Sequence, residues 1–206
     1  MNREGLGFAE SVLLCFAFLA DFDLRLVEKV VTFVRYESER VFLNVFHGRT
    51  SYELGIEVGR LDEPKQVLTL YDLVGAAGAM NSEGFGKHVM FQVSSREGVQ
   101  EFVPKLASLV QAYGTPFLRG DADAYAKVLK TKAHAASECA RNVHLRQVRE
   151  KAESAWHEKD IARVVELYGA IRKDLTEVEA RRFSYAERRQ SKNSSWFFRL
   201  FSRRSD

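Results

Sequence analysis

The strongest pattern in the sequence is an alternation of apolar and polar positions in SYELGIEVGRL, residues 51–61. A period of two predicts a β-strand with one face on a core and the other toward solvent or a partner. The preceding segment VFLNVF, residues 41–46, also reads as a strand, with Val41, Leu43 and Val45 on one face and Phe42, Asn44 and Phe46 on the other. Gly48 between the two segments allows a tight hairpin turn. The apolar positions of the second strand are Tyr52, Leu54, Ile56 and Val58.

Two other apolar segments lack a clear polar side. VEKVVTFVRY, residues 27–36, carries apolar groups on both faces of a strand, which predicts a central or covered strand. FAESVLLCFAFLA, residues 8–20, is apolar nearly all round and predicts a helix that is buried on most sides. HVMFQVS, residues 88–94, adds a candidate fourth strand.

Capping residues mark where helices begin. Thr69, with Asp72 three residues later, predicts a short helix. Ser95 predicts a longer one, in which Pro104 marks a kink or a later start.

The composition changes after residue 120, where Ala, Glu, Lys and Arg dominate. The pattern there predicts helices near 121–140, 144–158, 160–173 and 176–190. Asp160 and Thr176 are suited to cap the last two. We therefore predict an α+β fold, in which an antiparallel β-meander of three to four strands packs with helices and an all-α C-terminal extension follows. The predicted divisions are an α+β domain over 1–118, a helical extension over 119–190 and a basic aromatic tail over 191–206.

The tail, SSWFFRLFSRR, combines large apolar residues with arginines after a polar hinge at 192–195. As a short helix it would gather its apolar groups on one side and its arginines around the other. Such a segment can dock back on the domain, bind a partner groove, or rest on an anionic membrane surface. Its apolar residues are Trp196, Phe197, Leu200 and Phe201, and its arginines are Arg199, Arg203 and Arg204.

Charge and composition narrow the class of protein. The chain of 206 residues is 46% hydrophobic and carries a net charge of +3, as expected for a globular protein with a real core. The segment 191–206 holds four basic residues against one acid, so the rest of the chain is neutral and we expect no nucleic acid partner. Two cysteines without metal spacing fit a reducing cytoplasm. The longest uncharged apolar run, of nine residues over 12–20, is too short to span a membrane.

The polar residues of the predicted hairpin form the candidate site. His47, Arg49, Glu53 and Glu57 fall within a dozen residues. Glu53 and Glu57 would lie roughly 13 Å apart on one strand face, whereas paired glycosidase carboxylates lie about 5–9.5 Å apart. We therefore predict no catalytic residues, and interpret this side of the strand as either a solvated sheet face or a partner-binding face. Its two glycines would leave a bare strip that another chain could approach closely.

Metal and nucleotide sites are not favoured either. The remaining histidines are dispersed and match neither H-x-x-x-H nor H-E-x-x-H. The glycine-rich segment GAAGAMNSEGFG, residues 75–86, lacks both a GxGxxG fingerprint and the ending of a P-loop. We expect no cofactor.

Two resemblances bear on function. KDIARVVELYGAI, residues 159–171, resembles half of one tetratricopeptide repeat, with Asp160 at its turn position and Tyr168 at its aromatic position. This implies one helical hairpin of that style over 144–190 rather than a solenoid. The segment 33–61, together with the segment 145–168, resembles uncharacterised bacterial α+β proteins of the immunity-protein style. That resemblance implies a role in binding a protein and assigns no individual residue.

These patterns favour a non-enzymatic protein-binding module of the bacterial cytoplasm, of an immunity or regulatory kind. Its protein partner would meet the Glu53 and Glu57 face or the helical extension. The alternative is a peripheral membrane protein that the tail anchors to an anionic surface. An enzyme would require a polar pocket that holds His47 or His88 beside a carboxylate.

Overall fold

The computed structural model describes residues 3–48, 50–79 and 91–201, with side chains described as far as residue 191. The fold is α+β, as the sequence predicts: an antiparallel sheet with helices, followed by a helical C-terminal region. The chain divides into two compact units that meet in sequence between Lys132 and Ala133.

The sheet belongs to the first unit and is antiparallel throughout its described strands. Its order is β1-β2-β3-β4-β5, and β6 pairs with the part of β4 that β5 leaves open. The predicted meander is therefore confirmed, with more strands than expected. The strands are β1 Arg25–Val30, β2 Phe33–Glu37, β3 Val41–His47, β4 Glu53–Arg60, β5 Val67–Thr69 and β6 Phe91–Gln92.

Helices of the first unit form one core with the sheet. Leu43 and Val45 of β3 and Ile56 and Val58 of β4 are 0–1% exposed and belong to this core, as the alternation predicts. The predicted caps are confirmed: Thr69 and Asp72 form a capping box, and the Ser95 hydroxyl accepts a hydrogen bond from an amide in the first turn. The helices are α1 Phe8–Cys15, α2 Leu70–Ala76, α3 Arg96–Tyr113, α4 Thr115–Leu118 and the first part of α5 Ala122–His157.

The prediction of a central strand over 27–36 is wrong. The segment folds into the hairpin β1–β2, with a turn at Val31 and Thr32, and every residue of β1 is exposed. The structure places β1 at the edge of the sheet. Apolar residues on both faces of a strand therefore do not establish that other elements cover it.

The prediction of one buried helix over 8–20 is also wrong in part. Helix α1 ends at Cys15 and a 3₁₀ helix, Ala17–Phe22, follows it. Phe8, Val12 and Phe16 are fully buried, whereas Leu14 is 80% exposed. The helix packs along α3 on one side, so the opposite side faces solvent although it is apolar.

The second unit is made of helices. The end of α5 packs with α6 Ile161–Ala170 and α7 Glu177–Phe201 around a core of its own. The two predicted caps are confirmed, since Asp160 accepts from the Arg163 amide at 3.0 Å and Thr176 forms reciprocal bonds with Glu179. The fully buried members of this core include Ala152, Val164, Tyr168 and Ala186.

Two predicted interruptions in the helical region are absent from the structure. The helices expected near 121–140 and 144–158 form the single helix α5, and the hinge expected at 192–195 lies inside α7. Neither stretch contains Gly or Pro, so no backbone preference ends the helix there. Residues 133–144 of α5 are all exposed.

Candidate functional site

The sheet has two chemically different faces. One face supplies the core of the first unit, and the side chains of the other face, which we call the outer face, lie outside that core. The outer face follows from the strand register, because residues directly opposite each other in an antiparallel pair share a face. Its residues are Phe33, Arg35 and Glu37 of β2, Phe42, Asn44 and Phe46 of β3, and Glu53, Gly55, Glu57 and Gly59 of β4.

A polar row crosses the middle of the outer face. Arg35 Nε donates to Glu37 Oε1 at 2.6 Å, and Arg35 Nη1 donates to Asn44 Oδ1 at 3.0 Å. Asn44 Nδ2 then donates to Glu57 Oε2 at 3.2 Å. These bonds form one continuous network over three strands. Because Asn44 is only 7% exposed, its amide depends on these two partners for its hydrogen bonds.

Aromatic rings fill the space beside the glycines of β4. The Phe46 ring lies against Gly55 and the Phe42 ring lies against Gly59, each across the β3–β4 pair. The Arg35 guanidinium lies 4.3 Å from the centre of the Phe42 ring, a cation–π geometry. The glycine strip that the sequence analysis left bare for a partner is therefore occupied by the chain's own side chains.

His47 lies on the opposite face from the glutamates. Its ring is 1% exposed, and its Nε2 lies 2.7 Å from the Val93 carbonyl oxygen, which it meets as a donor in the neutral form. The ring stacks on Phe8 with centroids 5.7 Å apart, and Tyr52 meets it edge-on. Burial lowers the pKa of this imidazole, and the nearby charge of Arg3 lowers it further. These neighbours make His47 part of the core.

The structure therefore separates the four residues of the candidate site. Glu53 and Glu57 share the outer face, as predicted, and both are partly exposed. His47 is buried on the other side of the sheet. Arg49 lies outside the described residues.

Arg35 and Asn44 hold the polar row together, and neither is among the site residues predicted from the sequence. The alternation in 41–46 already places Asn44 on one face with Phe42 and Phe46. The alternation does not show the register between strands, and only the pairing of β2 with β3 brings Arg35 opposite Asn44. A lone Arg and a lone Asn on different strands give no local signal.

The described part of the chain contains no group of three His, Cys, Asp or Glu side chains that could hold a metal ion. His157 lies 3.1 Å from Glu153 on the same helix, and His134 and His144 are exposed. His88 and most of the glycine-rich segment 75–86 fall outside the described residues.

The C-terminal segment continues helix α7 as far as Phe201. The side chains of Trp196, Phe197, Arg199, Leu200 and Phe201 lie outside the described part, as do Arg203 and Arg204. Docking of this segment on the domain, on a partner or on a membrane stays a prediction. None of the helices among the described residues combines the length and apolar character needed to cross a membrane.

Comparison of the chain with protein-family models, with curated proteins and with solved structures gave no match. The resemblances to immunity proteins and to a tetratricopeptide hairpin therefore stay predictions.

Proposed function

We propose that the chain is a non-enzymatic protein-binding module of the bacterial cytoplasm, of an immunity or regulatory kind, whose protein partner binds the outer face. The supporting observation is the hydrogen-bonded row of Glu37, Arg35, Asn44 and Glu57, which holds partly exposed charged groups in fixed positions outside the core of the first unit.

The composition of this face suits protein recognition. Arginine and aromatic residues are enriched in protein interfaces and supply most of their strong contacts. Arg35 is 24% exposed and Glu37 is 31% exposed, so both stay partly available. Their bonds to each other and to Asn44 restrict the side chains before a partner arrives. Less conformational entropy is therefore lost on binding.

The test is capture of the native partner from bacterial cells of the source species. The variant carries Glu53→Lys and Glu57→Lys, and the matched control carries Glu150→Lys and Glu158→Lys, two exposed positions of the second unit with the same charge change. We expect the outer-face variant to lose a protein that both the wild type and the control retain. Circular dichroism melting checks that the variant is folded. Retention by the folded outer-face variant would contradict the proposal.

A second candidate function is attachment to an anionic membrane surface through the C-terminal end of α7. The observation that favours it is that α7 continues without a break through the segment containing Trp196 and Arg199. A helix with large apolar residues and arginines can lie in the interface of an anionic bilayer. Sedimentation with vesicles of phosphatidylglycerol, before and after deletion of 194–206, tests it. Binding that deletion leaves unchanged, or no binding before deletion, would rule it out.

A further inference from the structure

Among the described strands, β1 forms an edge of the sheet, and it exposes several apolar side chains. Leu26, Val27 and Val30 are 45%, 53% and 46% exposed, and Val31 in the following turn is 41% exposed. An exposed edge strand presents unpaired backbone N–H and C=O groups and is a template for pairing with another chain. Apolar side chains on such an edge strengthen that tendency, because pairing would remove them from water.

The side chains of β1 fall on two sides. A register shift between Leu26 and Glu28 marks Val27 as the extra residue of a β-bulge. Past the bulge, Lys29 pairs with buried Val34, so it lies on the core side, where its Nζ is 3.0 Å from Glu10 Oε1. Glu28 pairs with Arg35 and therefore lies on the outer face.

Glu28 provides a charge for recognition. Its cross-strand neighbour Arg35 already binds Glu37 and Asn44, and no ion pair to Glu28 occurs among the described residues. Val30 shares the outer face with Glu28, two residues further along the regular part of the strand. The edge therefore offers an acid and an apolar group side by side.

A second copy of the chain fits this edge poorly. Two identical antiparallel strands pair about a two-fold axis, which sets one residue directly opposite its own copy. In the regular part of β1, an axis at Val30 would set Glu28 opposite Thr32, so that Glu28 would meet no basic residue. An axis at Glu28 would place two glutamates opposite each other, and an axis at Lys29 would place two lysines opposite each other. Like charges in that position are destabilising. The strand instead favours a partner of different sequence.

We infer that β1 accepts an extended segment of another protein as an added antiparallel strand, with a basic residue opposite Glu28 and an apolar residue opposite Val30. A cleft of about 280 Å³ beside the end of β1 gives room for a side chain of that segment; its lining is apolar at Phe8, Ala9, Val30 and Val31 and charged at Arg3, Glu4, Glu10 and Lys29. The inference rests on the proposed protein-binding function, but it concerns the edge of the sheet rather than the Glu57 row.

Two capped peptides test this inference, Thr-Val-Thr-Lys-Thr-Val-Thr and the same peptide with Glu in place of Lys. The full-length protein is titrated with each while its backbone amide signals are followed by NMR. We expect the lysine peptide to perturb the amides of β1 and to bind about fivefold more tightly than the glutamate peptide, as opposite-charge and like-charge cross-strand pairs differ. Glu28→Lys should reverse this preference, and Glu63→Lys, the same change in an exposed turn, should preserve it.

Three outcomes would overturn the inference. They are no binding of either peptide at millimolar concentration, equal binding of both, and amide perturbation that lies elsewhere than β1. The inference is also overturned if the wild-type protein forms a dimer and Glu28→Lys changes its dimerisation, because the edge would then pair with a second copy. If the peptides fail while Glu53→Lys with Glu57→Lys still abolishes native capture, the proposed function stands and only the strand-addition inference falls.

Discussion

The Phe42 ring lies against Gly59 of the neighbouring strand, where an added β-carbon would stand 2.6 Å from the ring's Cζ atom. The two residues are directly opposite each other in the β3–β4 pair. Glycine within a strand normally weakens it, because no side chain is available to pack. Here the ring of the opposite residue packs on the glycine backbone and restores that contact.

Gly59→Ala should therefore destabilise the protein by about 1–3 kcal/mol, because the new methyl group would displace the Phe42 ring. Urea denaturation gives the free energy of unfolding. The control is Gly5→Ala, whose β-carbon would meet nothing within 4 Å and which should change stability by less than about 0.5 kcal/mol. Equal stability of the two variants would show that the ring moves aside without cost.

Asn44→Ala should cost about 1–2 kcal/mol, because it removes the residue that joins Arg35 to Glu57 and leaves their polar atoms with fewer partners. Asn142→Ala provides the control at an exposed position of α5, where alanine favours the helix. Urea denaturation again provides the measurement. If Asn44→Ala leaves the free energy of unfolding unchanged, water fully replaces the hydrogen bonds of the amide. The polar row would then be less rigid than its geometry indicates.

Stability should fall as the pH drops below about 6.5, the usual pKa of histidine. Burial lowers the pKa of His47 in the folded state, so the unfolded chain takes up this proton first. The stabilisation is therefore complete above pH 6.5 and is lost progressively below it. Carboxyl groups with lowered pKa values, such as Glu10 and Glu153, change the free energy of unfolding only near and below pH 4.5.

Urea midpoints between pH 7.5 and 5 check this dependence. His47→Gln keeps a side-chain donor for the Val93 carbonyl and should flatten the curve. His144→Gln, at an exposed position, should leave the curve as in the wild type. An unchanged slope in His47→Gln would assign the pH dependence to other groups.

Thr176→Ala should reduce stability by about 1 kcal/mol, because the capping box at the start of α7 loses the hydroxyl that accepts from the Glu179 amide. Hydrogen exchange of the first turn of α7 should increase at the same time. Ser184→Ala, an exposed position inside the same helix, serves as the control and should be neutral or slightly stabilising. If exchange in the first turn is unchanged, other contacts hold the helix start.

Local patterns predicted much of the fold, because local chemistry determines those features. The alternation in 51–61 predicted β4 with Leu54, Ile56 and Val58 inward, and capping chemistry predicted the helix starts at Thr69, Ser95 and Asp160. These features depend on residues within a few positions of one another, so a single sequence shows them.

The features that sequence did not predict depend on register and on coverage. His47 continues the period of Leu43 and Val45 and is buried with them, but its polar chemistry suggested a turn or a site. The exposure of β1 and the bond from Arg35 to Asn44 depend on which strands are neighbours. Strand neighbours are a property of the whole fold, and no pattern within one strand contains them.

The bond between His47 and the Val93 carbonyl joins residues 46 positions apart in sequence, whereas the second unit closes its core with helices that follow one another along the chain. Distant contacts are slow to form, because a long loop must close before they contribute any stability. During refolding, the helical unit should therefore acquire protected amides first. The sheet should reach its final register only after residues 91–93 have paired with β4 and bonded to His47.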